Sequence, residues 1–176
     1  MPDPETLKTA KAAALRYLSY KDRSEREVAE RLTQKGHPLP QVRETLAWLK
    51  HLGYLNDERF ALLWGRARIA AKNIGEYRLR KELSARGLAD AIIEKTARAL
   101  YSEFNEGELA LSCAQKKLSR LGGIDRQAKY RRLAQYLQRK GFPSDTVFKT
   151  VHTLIPKGGG GETPESETSM LDDQQT

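Results

Sequence analysis

The sequence predicts an all-α protein of three tandem three-helix repeats, forming an elongated body able to curve, with a disordered carboxy-terminal tail. Three observations predict it. Apolar residues recur at helical spacing, and no segment sustains the period-2 alternation of a half-buried strand. A helix-ending pattern, apolar-x-x-x-Leu-x-x-basic-Gly, occurs three times. The residues after each of its glycines then share a single apolar spacing.

The three copies are Val28…Leu32-Thr33-Gln34-Lys35-Gly36, Leu79…Leu83-Ser84-Ala85-Arg86-Gly87 and Leu133…Leu137-Gln138-Arg139-Lys140-Gly141, with glycines 51 and 54 residues apart. Six residues beyond them stand Val42, Ile93 and Val147; ten beyond, Leu46, Ala97 and Val151; thirteen beyond, Leu49, Leu100 and Leu154. All nine are apolar, at the four-then-three spacing of one helix stripe. A glycine just past a helix takes the left-handed conformation that turns the chain, and the basic residue before it meets the negative helix end. Helix starts are marked as well. Ser24-Glu25-Arg26-Glu27 is a capping box, Asp125 suits an N-cap, and Gly75 before Glu76 is a weaker start. Pro38 and Pro40, then Pro143-Ser144-Asp145, introduce the helices that follow the glycines.

Each pair has a further helical stretch upstream, over 9–20, 57–73 and 106–121. In the second, Asn56 or Asp57 can cap, and Phe60, Leu63, Ala67 and Ala71 form the expected stripe. The units are therefore 1–55, 56–104 and 105–157, stacked because some fifty residues bury little surface alone. Residues 158–176 open on four glycines and continue with acids and almost no apolar side chains, which predicts a disordered acidic tail.

Charge points to the partner. Removing the five acids after Gly158 leaves 31 basic against 18 acidic residues over positions 1–157. Residues 115–140 hold nine basic residues and one acid, Asp125. Such a field attracts polyanions, whereas a merely solvated helical face mixes both signs. The candidate partner-binding residues are Arg78, Arg80, Lys81 and Arg86 in the second unit. In the third they are Lys116, Lys117, Arg126, Lys129, Arg131, Arg132, Arg139 and Lys140. Tyr77, Tyr130 and Tyr136 lie among them, where an exposed ring would suit a nucleic acid or a protein hot spot. Trp48 and Trp64 fall on or beside apolar stripes and are expected to pack.

Catalytic, metal and cofactor residues are not expected. His37, His51 and His152 are scattered, and Cys113 alone reads as a small core residue. The four-glycine run has no strand before it and no Lys-Ser/Thr after it, so it is not a phosphate loop. No run of about 18 apolar residues predicts a membrane span. The opening Met1-Pro2-Asp3-Pro4-Glu5 is unlike a secretory signal, and one cysteine permits no internal disulfide, so a cytoplasmic protein is expected.

Several of these segments resemble the RecX family. Ala14-Leu15-Arg16-Tyr17-Leu18, the capping box with Val28, Leu32 and Gly36, and above all Gly53-Tyr54-Leu55-Asn56-Asp57-Glu58-Arg59-Phe60-Ala61 look like its opening. Arg78–Leu83 with Arg86-Gly87-Leu88, and Leu137–Phe142, resemble its second and third repeats. The resemblance runs from about residue 10 to 155; Glu106–Gly123 departs from the pattern, and the acidic tail is no part of it. It implies a monomeric, non-enzymatic cytoplasmic modulator that binds the RecA filament on single-stranded DNA. Such a protein would restrain strand exchange, ATP hydrolysis and co-protease activity. Whether the basic residues touch recombinase, DNA weakly, or both stays open. A sequence-nonspecific DNA- or RNA-binding helical module is the alternative; a scaffold without an anionic partner would leave the basic bias unexplained.

Overall fold

A computed structural model describes residues 4–156, and the regular structure of these residues is entirely helical. The expected tail lies outside them. The helices are α1 (Pro4–Leu18), α2 (Glu25–Gln34), α3 (Leu39–His51), α4 (Asp57–Lys72), α5 (Glu76–Ala85), α6 (Asp90–Glu103), α7 (Glu106–Leu118), α8 (Arg126–Arg139) and α9 (Ser144–Leu154). Successive triplets form three units, each around its own apolar core. No strand interrupts them among the described residues.

The repeat is physical. Val42, Ile93 and Val147 are buried, as are Leu46, Ala97, Val151, Leu49 and Leu100. Leu154 is half-buried against the third core, which Ile155 completes. Leu32, Leu83 and Leu137 are almost wholly inaccessible. Each helix-ending glycine has positive φ: 83° at Gly36, 78° at Gly87 and 86° at Gly141. The amide after each donates to the leucine carbonyl five residues back: His37 to Leu32, Leu88 to Leu83, Phe142 to Leu137. These are three copies of one Schellman turn. A further periodic position carries Thr45, Thr96 and Thr150, nine residues after each glycine and all buried.

Starts follow the capping signals. Ser24 makes the full box with Glu27, Asn56 rather than Asp57 caps α4, and Asp125 caps α8 through the Ala128 amide. Two expectations are corrected. The first helix begins at Pro4, earlier than residue 9. In α4 the core face is Phe60, Ala61, Gly65 and Ile69, while Leu63, Ala67 and Ala71 are exposed. Gly65 is the cause. A Cβ there would stand 2.7 Å from Leu100 Cδ1, so α4 meets α6 closely along the Gly65 line and turns Leu63 outward.

Neighbouring units meet through helix ends, twice in the same way. At the first joint the Glu25 amide donates to Asp57 (2.8 Å) and Ser24 Oγ donates to the Arg86 carbonyl (2.7 Å). At the second, the Glu76 amide donates to Glu106 (2.9 Å) and the Gly75 amide to the Lys140 carbonyl (2.9 Å). Thus the first turn of α2 or α5 rests on the glycine turn of the next unit and on the first residue of its leading helix. Gly75 is more than a weak cap: a Cβ on it would collide with the Gly141 carbonyl, so two backbones cross where only glycine fits.

Candidate functional site

The basic residues of the second unit are committed internally. Arg78 donates to Glu82 (2.8 Å) and to the Arg139 carbonyl (3.1 Å), which makes it part of the second joint. Arg80 is held between Glu76 (2.5 Å) and Glu94. Arg86 pairs with Glu27 (2.5 Å) across the first joint and lies over the Trp64 ring at 4.4 Å. Arg68 shares Glu82 with Arg78, and those two guanidiniums overcome the effect of burial and hold that carboxyl below its usual range. Lys81 is exposed and makes no ion pair, but Asp90 and Glu94 line the same shallow cavity.

The third unit is different. Among the described residues, no ion pair within 4.0 Å involves any residue beyond Glu103. Lys116, Arg126, Arg131, Arg132 and Arg139 are exposed, and Lys117, Lys129 and Lys140 are half-buried. On α8, Lys129, Arg132, Tyr136 and Lys140 fall at three- and four-residue steps and so share one face. Tyr136 is its centre: the Lys117 and Lys140 ammonium groups each stand 5.6 Å from the ring centroid. Lys140 also donates to the Lys72 carbonyl at the end of α4 (2.6 Å), joining this face to the second unit.

Burial, the largest cause, pushes the Tyr136 phenol up to about 12, and its hydroxyl lies 3.3 Å from the Cys113 sulfur. It stays neutral at physiological pH, and the face keeps its full positive charge. Its rim, a neutral ring among ammonium and guanidinium groups, suits phosphates, carboxylates and stacked bases. Tyr130 is half-buried in the core, whereas Tyr77 is 72% exposed on α5. Trp48 and Trp64 pack against their cores at the edge. The sequence offered Tyr136 only together with Tyr77 and Tyr130; the flanking lysines from α7 and the helix end set it apart from them.

Models of the three RecX domains match this chain in register with the three units. The first three-helix domain matches residues 10–49, the second 56–96 and the third 105–151. The chain belongs to the RecX family. The third match includes Glu106–Gly123, the stretch expected from the sequence to depart from the family pattern. The "Regulatory protein RecX" of Amycolatopsis mediterranei is 28% identical over 173 residues, covering 98% of this chain and 95% of its own. That of Streptomyces coelicolor is 30% identical over 158 residues, 90% of this chain and 84% of its own. The crystal structure of RecX from Lactobacillus salivarius superposes with a TM-score of 0.75 at 26% identity, over 85% of this chain and 97% of its own. This RecX-family chain is thus similar to regulatory proteins along nearly its whole length. None of its described helices is long and apolar enough to cross a membrane.

Proposed function

We propose that this chain is a cytoplasmic, non-enzymatic regulator that binds the RecA recombinase filament on single-stranded DNA and inhibits it. It thereby restrains strand exchange, ATP hydrolysis and co-protease activity, and so modulates DNA repair and the SOS response. One observation carries the reading: Lys117 and Lys140 flank Tyr136 on a face of the third unit that also carries Lys129 and Arg132, and among the described residues no carboxylate pairs with any of them within 4.0 Å. The second unit's Arg78, Arg80 and Arg86 are spent on internal pairs. A monomer carrying one such face on a stack of units spans several filament subunits, and weak contacts sum by effective concentration.

Of the proposed site residues, Lys116, Lys117, Arg126, Lys129, Arg131, Arg132, Arg139 and Lys140 contact the filament. Lys81 is the second unit's free contribution. Arg78 and Arg86 act mainly by holding the units together, and Arg80 by pairing within the second unit. The test is recombinase ATPase on single-stranded DNA with and without charge reversal at Lys129 and Arg132, beside binding to naked DNA. Loss of inhibition with weak, unchanged DNA binding supports contact with the recombinase. Parallel loss of tight naked-DNA binding supports the alternative, a sequence-nonspecific nucleic-acid module.

A further inference from the structure

The joint between units has two halves. The receiving half is the glycine turn with the residues after it; the inserting half is the first turn of the preceding unit's α2 or α5. Three receiving halves exist, and the described residues fill two. A Cβ on Gly87 would strike the Arg26 side chain, and one on Gly141 would stand 2.9 Å from Arg78 Cα; around Gly36 nothing lies within 4 Å. The carbonyl before the glycine accepts a hydrogen bond from the inserting turn at Arg86 and Lys140. Lys35 has the same turn and the same basic side chain, yet no described residue reaches its carbonyl.

One further feature distinguishes this open half from bare solvent-facing surface. The two or three residues after the glycine line the joint cavities, as Ala89 does beside Glu25 and Asp57, and as Pro143 and Ser144 do beside Tyr77. Three residues on, the filled joints carry Asp90 and Ser144, whereas the open one carries Leu39, 58% exposed. An exposed leucine beside an open turn, where the filled joints carry polar residues, belongs to a surface suited to an apolar contact.

We propose that the Gly36 turn of the first unit receives the amino-terminal turn of an acidic helix from a partner protein. The occupant's chemistry is set by the two filled joints. Both inserting turns open on Ser or Gly, place Glu first in the helix, and lay an arginine stem on the glycine. At the first joint a second glutamate, Glu27, meets the basic residue before the glycine. Lys35 and Leu39 add a positive charge and an apolar contact for such a helix start. A second copy of this chain cannot supply it. Counting twelve back from Gly141 reaches Lys129, where Ser24 and Gly75 stand in their units. There α8 does not begin; it continues for another turn to Arg126. The inserting half at the far end of the array is therefore blocked, and head-to-tail polymerisation with it.

The probe is a lactam-stabilised helical peptide of residues 22–34, whose first turn fits the homologous Gly87 dock, titrated into the isotope-labelled full chain and followed by amide NMR shifts. Saturable shifts at residues 35–41 are expected, with a dissociation constant on the order of 1 mM. Lys35→Glu and Leu39→Asp, both at exposed positions, each weaken binding about tenfold, the factor that about 1.4 kcal/mol represents. Replacing Glu25 and Glu27 of the peptide by glutamine weakens it likewise. Shifts confined to residues 86–92 or equal binding to both variants overturn the proposal, as does indifference to the glutamates. So does a concentration-dependent dimer abolished by Leu39→Asp, or movement of the 35–41 amides on deleting residues 158–176, since either outcome names a different occupant.

Discussion

Gly36 and Gly141 hold the same backbone conformation, with φ of 83° and 86°, but only Gly141 lies inside a joint. Substituting alanine at each therefore separates the cost of the left-handed turn from the cost of separating two units. At Gly36 the added methyl meets nothing, so Gly36→Ala loses only the conformational term, about 1–2 kcal/mol. At Gly141 the same methyl falls against the backbone of Arg78, with Cα at 2.9 Å, and backbone cannot yield as a flexible side chain does. Relief requires α8 to retreat from α5. That retreat strains the Gly75–Lys140 bond (2.9 Å) and the Arg78–Arg139 bond (3.1 Å), each worth about 1 kcal/mol net. Gly141→Ala should thus lose about 3–4 kcal/mol in total. Urea unfolding followed by far-UV circular dichroism reads both values, and amide exchange at Gly75 should rise in Gly141→Ala alone. Equal losses in the two variants would refute the joint as a stabilising contact.

Leu32, Leu83 and Leu137 occupy one position in three cores, and truncating any of them to alanine should cost about 2–5 kcal/mol by urea unfolding; a loss below about 1 kcal/mol would contradict the repeat. Burial raises Glu106, as does the nearby Glu76, so its proton binds more readily in the folded chain. Its contribution to stability therefore grows as pH falls from neutrality toward the ordinary carboxylate range, and is lost as pH rises through the folded value. Glu106→Gln keeps an oxygen for the Glu76 amide but cannot titrate, so it should gain less stability than wild type as pH falls from neutrality to about 5, just above the ordinary carboxylate range. Identical gains would contradict this. Tyr101→Phe removes the hydroxyl that donates to the Ile74 carbonyl (2.7 Å) and should cost about 1 kcal/mol or slightly more in the same unfolding assay.

Much of the fold was legible because its signals were local and repeated. Capping at Ser24 and Asp125, glycine at three helix ends and the matched apolar residues after them act within one or two turns of chain, so sequence spacing alone displays them. What escaped depended on contacts between distant elements. The α4 face was misjudged because Leu63, Ala67 and Ala71 satisfy helical spacing as well as the true core face. Only the close approach of Leu100 to Gly65 decides between them. Thr45, Thr96 and Thr150 passed unnoticed because a polar residue inside a stripe reads as an interruption until its burial is known. The basic clusters of the second and third units looked alike in composition. They differ because Glu27, Glu76, Glu82 and Glu94 pair with the arginines of one and, among the described residues, no carboxylate comes within 4.0 Å of those of the other, and Glu27 lies 59 residues from its partner Arg86.

The central claim is that the third unit's basic face acts on the recombinase filament. Its most direct measurement is the single-stranded-DNA-dependent ATPase of RecA, titrated with wild type and with the Lys129→Glu/Arg132→Glu variant. Helicity and urea midpoint should match between the two proteins, since neither residue takes part in an ion pair or joint. The wild type should inhibit saturably, and the variant should need at least about tenfold more protein for the same effect, the loss of about 1.4 kcal/mol from two charged contacts. Undiminished inhibition by a folded variant would contradict the account and move the active surface away from α8.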